Sequence, residues 1–143
     1  MIDQTRRQNI EQLRGKQAWN DILVIKQLGE KEQKEYRSLA RGLNAMIQTN
    51  GLGQTLGFLK AKGGGKQNAH FYLLGHLTHW MRWNFDTSNN QPNPAIPENN
   101  DGLLGWITNT ASSADYRRAT TECFAYGNWL RRFAEAELES GEE

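Results

Sequence analysis

The chain has 143 residues, 37% hydrophobic and 23% charged, with a formal net charge of +1 and a mean hydropathy of -0.79; that length suffices for one domain with a real core. Its longest run of large aliphatic residues is Ile22-Leu23-Val24-Ile25, far short of the roughly 20 needed to cross a bilayer. The first residues carry no apolar signal segment, and the lone Cys123 excludes an intrachain disulfide, so the expected location is the cytoplasm.

Ile10, Leu13, Ile22, Leu23 and Leu28 fit a long first helix, interrupted at Gly15 and ended by Gly29. Tyr36, Leu39, Ala40, Leu43, Met46 and Ile47 form one stripe of an amphipathic helix. Asn50-Gly51 then has the chemistry of a helix C-terminal turn. A third helix starts near Leu52 and buries Leu52, Leu56 and either Phe58 or Leu59. Gly53 and Gly57 share one face of it, at about 1 kcal/mol each relative to alanine. A cost of that size predicts that another backbone approaches closely there. Lys60 and Lys62 follow, and Gly63, Gly64 and Gly65 end the helix before Lys66. Phe71, Leu74, Leu77, Trp80 and Met81 make the next stripe. Residues 86–101 hold all three prolines and many Asn and Asp residues, which reads as a long loop, either functional or mobile. Leu103, Leu104 and Ile107 mark a short helix. Tyr116, Ala119, Cys123, Gly127, Leu130 and Ala134 mark a last one, Ser113 to Leu138, capped by Ser112 or Ser113. No stretch alternates as a strand does. The predicted fold is all-α: a single compact bundle of about six helices over 1–143, with a long loop at 86–101 and an acidic tail at 139–143.

Charge is unevenly spread. No acidic residue lies between Glu35 and Asp86, an interval that carries Arg37, Arg41, Lys60, Lys62, Lys66, Arg82 and all three histidines. Glu135, Glu137, Glu139, Glu142 and Glu143 end the chain without a basic residue among them. A basic middle attracts polyanions through phosphate contact and counterion release; a solvated face without a partner is the alternative.

Specific chemistry is hard to find. The glycines at 51, 53 and 57 miss the dinucleotide spacing, and Gly65-Lys66 lacks the Ser or Thr of a phosphate loop. No strand precedes either. His76 and His79 would share a helical face with His70 two turns away, but there is no paired cysteine and no zinc-protease motif, so no metal or other cofactor is expected. Cys123 sits on an apolar stripe like a structural thiol. The acidic residues read as solvated helix faces rather than a catalytic pair, and nothing indicates an enzyme. Of the five tryptophans, Trp80 reads as core, while the facing of Trp83, Trp106 and Trp129 stays open.

The stretch "YRSLARGLNAMIQTNGLGQTLGFLKAKG" at 36–63 resembles the small-subunit family of the type III-B CRISPR effector, the Cmr complex. The family has an apolar helix ending in an Asn-Gly-Leu turn, then a Gln-x-Leu-x-Phe helix ending in basic residues. Met46, Ile47, Asn50, Gly51, Leu52, Gln54, Leu56 and Phe58 match that pattern. "YRRATTECFAYGNWLRRFAEAELE" at 116–139 is similar to the family's closing helix. The likeness spans nearly the whole chain except 86–101. Where the family has a proline near position 44 this chain has Asn44, and Gly57 stands where alanine is commoner; a kink is lost and no charge is.

The resemblance implies a non-catalytic subunit that stacks on copies of itself in an inner filament. Its neighbours would be the backbone subunits and the large polymerase-like subunit, with a basic face along crRNA and target RNA. Arg37, Arg41, Lys60, Lys62 and Lys66 are the expected phosphate contacts. Arg131 and Arg132 come second, because one of the pair could simply salt-bridge Glu135. Two other classes fit the sequence: a helix-turn-helix DNA-binding regulator built on 36–62, with Gln54 as its only base reader, and a protein-only adaptor.

Overall fold

The computed structural model describes residues 9–87 and 90–141. Within them are six helices: α1 Ile10–Lys26, α2 Glu30–Asn50, α3 Leu52–Gly63, α4 Ala69–Asn84, α5 Gly102–Asn109 and α6 Ser113–Glu137. There is no strand among the described residues, so the fold is all-α. Two features expected from the sequence fall partly outside them: Ser88 and Asn89 of the loop, and Glu142 and Glu143 of the tail.

Each helix has a local reason to begin and stop. Asn9 and Gln12 cap α1 reciprocally, side chain to backbone, at 2.8 and 2.9 Å. Asn68 accepts the Phe71 N–H at the start of α4, and Ser112 accepts that of Asp115 at the start of α6. At the start of α2, Gly29 offers no side chain, but Glu30 and Glu32 place negative charge on the first turn. Gly51 ends α2 with φ +86°, its N–H on the Ile47 carbonyl, and α3 begins at the next residue. The cap of α3 is tertiary: the Gly53 N–H donates to the Tyr116 hydroxyl of α6 at 2.7 Å. Gly64, in the left-handed region, ends α3.

Cross-chain contacts fix the directions. Arg14 meets Glu122 and Lys26 meets Glu137, so α1 and α6 run parallel. Arg41 meets Glu135 and Asn44 meets Asn128, so α2 and α6 run antiparallel. Gly63 backs onto Phe71, closing α3 and α4 into a hairpin. One apolar cluster draws on all six helices, with Ile22, Tyr36, Leu43, Leu56, Leu77, Trp80, Leu103 and Leu130 among its members.

Three glycine expectations change. α1 runs unbroken through Gly15, which is buried under the Trp129 ring, 3.1 Å from where a side chain would stand. Gly29 starts α2 rather than ending α1, which stops at Lys26. Gly53 faces the Tyr116 hydroxyl, and a side chain at Gly57 would meet nothing within 4 Å. Among the described residues the expected glycine face meets side chains or open space rather than a backbone, and α3 is thin at Gly53 to let Tyr116 cap it. The choice between Phe58 and Leu59 falls to Leu59, buried at 1% exposure against 36% for Phe58.

The loop after α4 is strapped to that helix. Asn93 donates from its N–H to the Arg82 carbonyl and from its amide to the Phe85 carbonyl. Arg82 Nε donates to the Ile96 carbonyl, and Ile96 is buried. The Thr78 hydroxyl donates to the Asn100 carbonyl, and the Asn100 amide to that of Phe71.

Candidate nucleic-acid interface

The seven basic residues singled out in the sequence fall into two groups. Arg37 and Arg41 lie one turn apart on α2, facing the C-terminal half of α6. Arg41 Nε is 3.3 Å from Glu135, and Arg131 Nε is 3.7 Å from the same carboxylate. Arg37 is half-buried and donates to the Ser140 hydroxyl at 3.3 Å. Arg132 is exposed. The second group, Lys60, Lys62 and Lys66, clusters where α3 gives way to its glycine turn, and all three are exposed. Lys60 Nζ sits 2.6 Å from Asp101, at the far end of the strapped loop. Lys62, Lys66 and Arg132 have no carboxylate within 4.0 Å among the described residues.

Two acidic features of the sequence change role. Glu135 takes Arg131 of the Arg131–Arg132 pair, as that pair's spacing allowed, and adds Arg41, while Glu137, expected as solvated charge, pairs with Lys26. Asp21 is buried, not a solvated face. It accepts from the Tyr126 hydroxyl and from the Gln17 amide. Burial raises its carboxyl to about 6, against the pull of those hydrogen bonds.

The histidines add little to the basic middle. His76 Nδ1 pairs with the Tyr36 hydroxyl at 2.8 Å. Burial, with His79 pushing the same way, takes His76 down to about 3. It is neutral at physiological pH, so its 3.9 Å approach to Asp21 is a polar contact and not an ion pair. Burial also lowers His70, whose ring lies 5.7 Å from Phe58. His76 turns to Tyr36 in the core while His79, one turn further along the same side of α4, is exposed. No three His, Cys, Asp or Glu side chains gather as a metal site among the described residues. Burial pushes the Cys123 thiol far up, away from nucleophilic range.

Further side chains of the surface went unread in the sequence. Arg118 forms a two-pronged pair with Asp86, at 2.6 and 3.1 Å, and lies 4.7 Å over the Phe85 ring. That hydrogen bonding lowers the Asp86 carboxyl. The Arg14 guanidinium grips Glu122 at 2.7 and 2.8 Å, and Glu122 also accepts from the Trp80 indole. Neither pair is local in sequence, so no spacing signalled it. Trp80 is core as expected, Trp106 is buried, Trp129 is half-buried over Gly15, and Trp83 is 40% exposed. Among the described residues no helix is long and apolar enough to cross a membrane.

These features define a class: a small all-helical protein with basic side chains on its surface and a buried polar network at its centre. The family model described as CRISPR-associated protein (Cas_Cmr5) matches residues 10–137, and the chain belongs to that family, the small subunits of the Cmr complex. Among solved structures it is similar to a CRISPR-associated Cmr5 family protein from Thermus thermophilus. That match has a TM-score of 0.72 at 25% identity and covers 93% of this chain and 100% of the other.

Proposed function

We propose that the chain is a non-catalytic Cmr subunit that stacks on its own copies in an inner filament and contacts crRNA and target RNA through their phosphates, in the cytoplasm. The backbone and large polymerase-like subunits would be its protein neighbours. The observation that carries this reading is the exposed cluster of Lys60, Lys62 and Lys66 at the end of α3, two of them without a carboxylate partner among the described residues. Clustered, unneutralised ammonium groups suit phosphate oxygens and carry no base information. The core continuous through all six helices supports one domain over 1–143. A helix-turn-helix reader finds weaker support, since the start of α3 is occupied by the Tyr116 hydroxyl at Gly53. Lys60, Lys62 and Lys66 are proposed as the principal phosphate contacts, with Arg37, Arg41, Arg131 and Arg132 as a second set.

The test is target-RNA capture by the assembled effector across a salt series, with wild type and with Lys60→Glu/Lys62→Glu/Lys66→Glu. The variant should capture RNA more weakly, and its slope against log salt should be shallower by about 0.7–0.9 for each phosphate it no longer neutralises. Equal capture and equal slope would make the chain a protein-contacting spacer.

A further inference from the structure

Trp83 is exposed to 40% at the end of α4, and the His79 ring lies 6.3 Å away, inclined by 43°. Neither side chain serves the core. Opposite them the strapped loop places Glu98, Asn99 and Asn100, and together these residues and Arg82 enclose about 370 Å³. That volume lies within the roughly 300–1,000 Å³ of small-ligand sites. The wall is held rigidly, because Thr78 and Phe71 of α4 bind Asn100 at 2.9 and 3.1 Å. Gly75 permits this closeness, since a side chain there would overlap the Asn100 amide oxygen.

We propose that this pocket takes one unpaired purine base, guanine in preference to adenine; the proposal rests on the RNA-contacting reading above and names the part of the RNA this site holds. An exposed indole face is a stacking surface for a base. Among the described residues the Trp83 indole N–H and the Glu98 carboxylate have no hydrogen-bond or ion-pair partner, and the His79 ring nitrogens have no hydrogen bond although the ring feels the Asp21 charge, so polar groups remain for a base edge. A carboxylate only accepts. It matches the adjacent N1–H and N2–H donors of guanine and meets a lone pair at adenine N1. Arg82 in the wall offers positive charge to the attached phosphate. Asn99 and Asn100 also border a second hollow, lined on its far side by Lys60, Gly64 and Gly65. A strand whose phosphate meets Lys60 therefore needs only to cross the loop to set a base against Trp83.

The experiment uses the full chain with a labelled short single-stranded RNA bearing one guanine, its adenine counterpart, GMP and AMP. RNA binding is read by anisotropy over a salt series, and nucleotide binding by the indole N–H resonance of Trp83. Trp83→Ala should weaken guanine-RNA binding by about 5-fold or more with an unchanged salt slope, and Trp83→Phe should restore most of it. Glu98→Gln should erase the preference for guanine. Circular dichroism checks that each variant is folded. If Trp83→Ala binds RNA as wild type does, the pocket assignment is wrong while the phosphate-contact reading stands. If wild type binds no RNA yet GMP moves the Trp83 resonance, the pocket stands as a site for free nucleotide and not for RNA. If neither RNA nor nucleotide binds, the pocket assignment falls, while the phosphate-contact reading stands or falls with the assembled effector.

Discussion

Asp21 is the residue whose role most separates the sequence from the fold. In the sequence it is one acid among several on an early helix; in the fold it is 7% exposed. Facing it are Gln17 from α1, His76 and His79 from α4, and Tyr126 from α6, with Tyr36 of α2 behind His76. Its carboxyl, raised to about 6, stands above the unfolded value of about 3.9. It therefore contributes stability that is complete below about pH 4 and is lost as pH rises through about 6. His76, lowered to about 3, has the opposite sign. It contributes stability above its unfolded value of about 6.5, and that is lost as pH falls toward its folded value. The two slopes oppose each other over about pH 4 to 6, so wild-type stability should change little there. Asp21→Asn removes one slope and leaves the other. Urea midpoints measured from about pH 7 down to about pH 4 should then fall steadily for Asp21→Asn and stay nearly flat for wild type; parallel curves would refute the assignment. Trp80 and Cys123 were legible because each sits on an apolar stripe. Asp21 was not, because its donor Tyr126 comes from 105 positions away and nothing local predicts it.

At the scale of the element, the α2–α3 junction carries the clearest agreement and the clearest surprise. Asn50-Gly51 announced the turn, and Gly51 at φ +86° makes it. That backbone is open to glycine and costly for a side chain, so Gly51→Ala should lower stability by about 1–3 kcal/mol. Gly57→Ala, further along α3, should do the reverse. It fills open space in a helix interior, where alanine is favoured by about 1 kcal/mol. Thermal melting of the two variants should move in opposite directions; a shared direction would refute this account of the glycines. Helix existence was legible throughout because the apolar residues recur at helical spacing. What the glycines were for was not. Gly15 admits the Trp129 ring and Gly53 admits the Tyr116 hydroxyl, both from α6, and a glycine in sequence records that space is needed without saying who takes it.

Across the whole molecule the uneven charge of the sequence is partly cancelled by folding. The acidic C-terminal part returns along α2, so Glu135 lies between Arg41 and Arg131, and the loop brings Asp101 to Lys60. These pairs are at the surface and contribute at most about 1 kcal/mol each. Glu135→Gln should thus leave the melting temperature almost unchanged. It removes one negative charge beside two of the proposed phosphate contacts, and should raise RNA affinity by about 2-fold at low salt with a steeper salt dependence. No change in affinity would take Arg41 and Arg131 out of the interface.

The sequence by itself determined the helical class, the number and approximate place of the helices, the basic middle and, through its motifs, the family. All of these rest on short-range order: a stripe, a cap, a turn residue or a run of like charge is complete within a few neighbouring positions. Only the tertiary structure decided which charges survive folding, which aromatic rings stay exposed, and that the loop after α4 builds a wall opposite Trp83. Those outcomes depend on pairs far apart in the chain, Glu135 with Arg41, Asp101 with Lys60, Asn100 with Thr78, and such pairs exist only once the helices have packed.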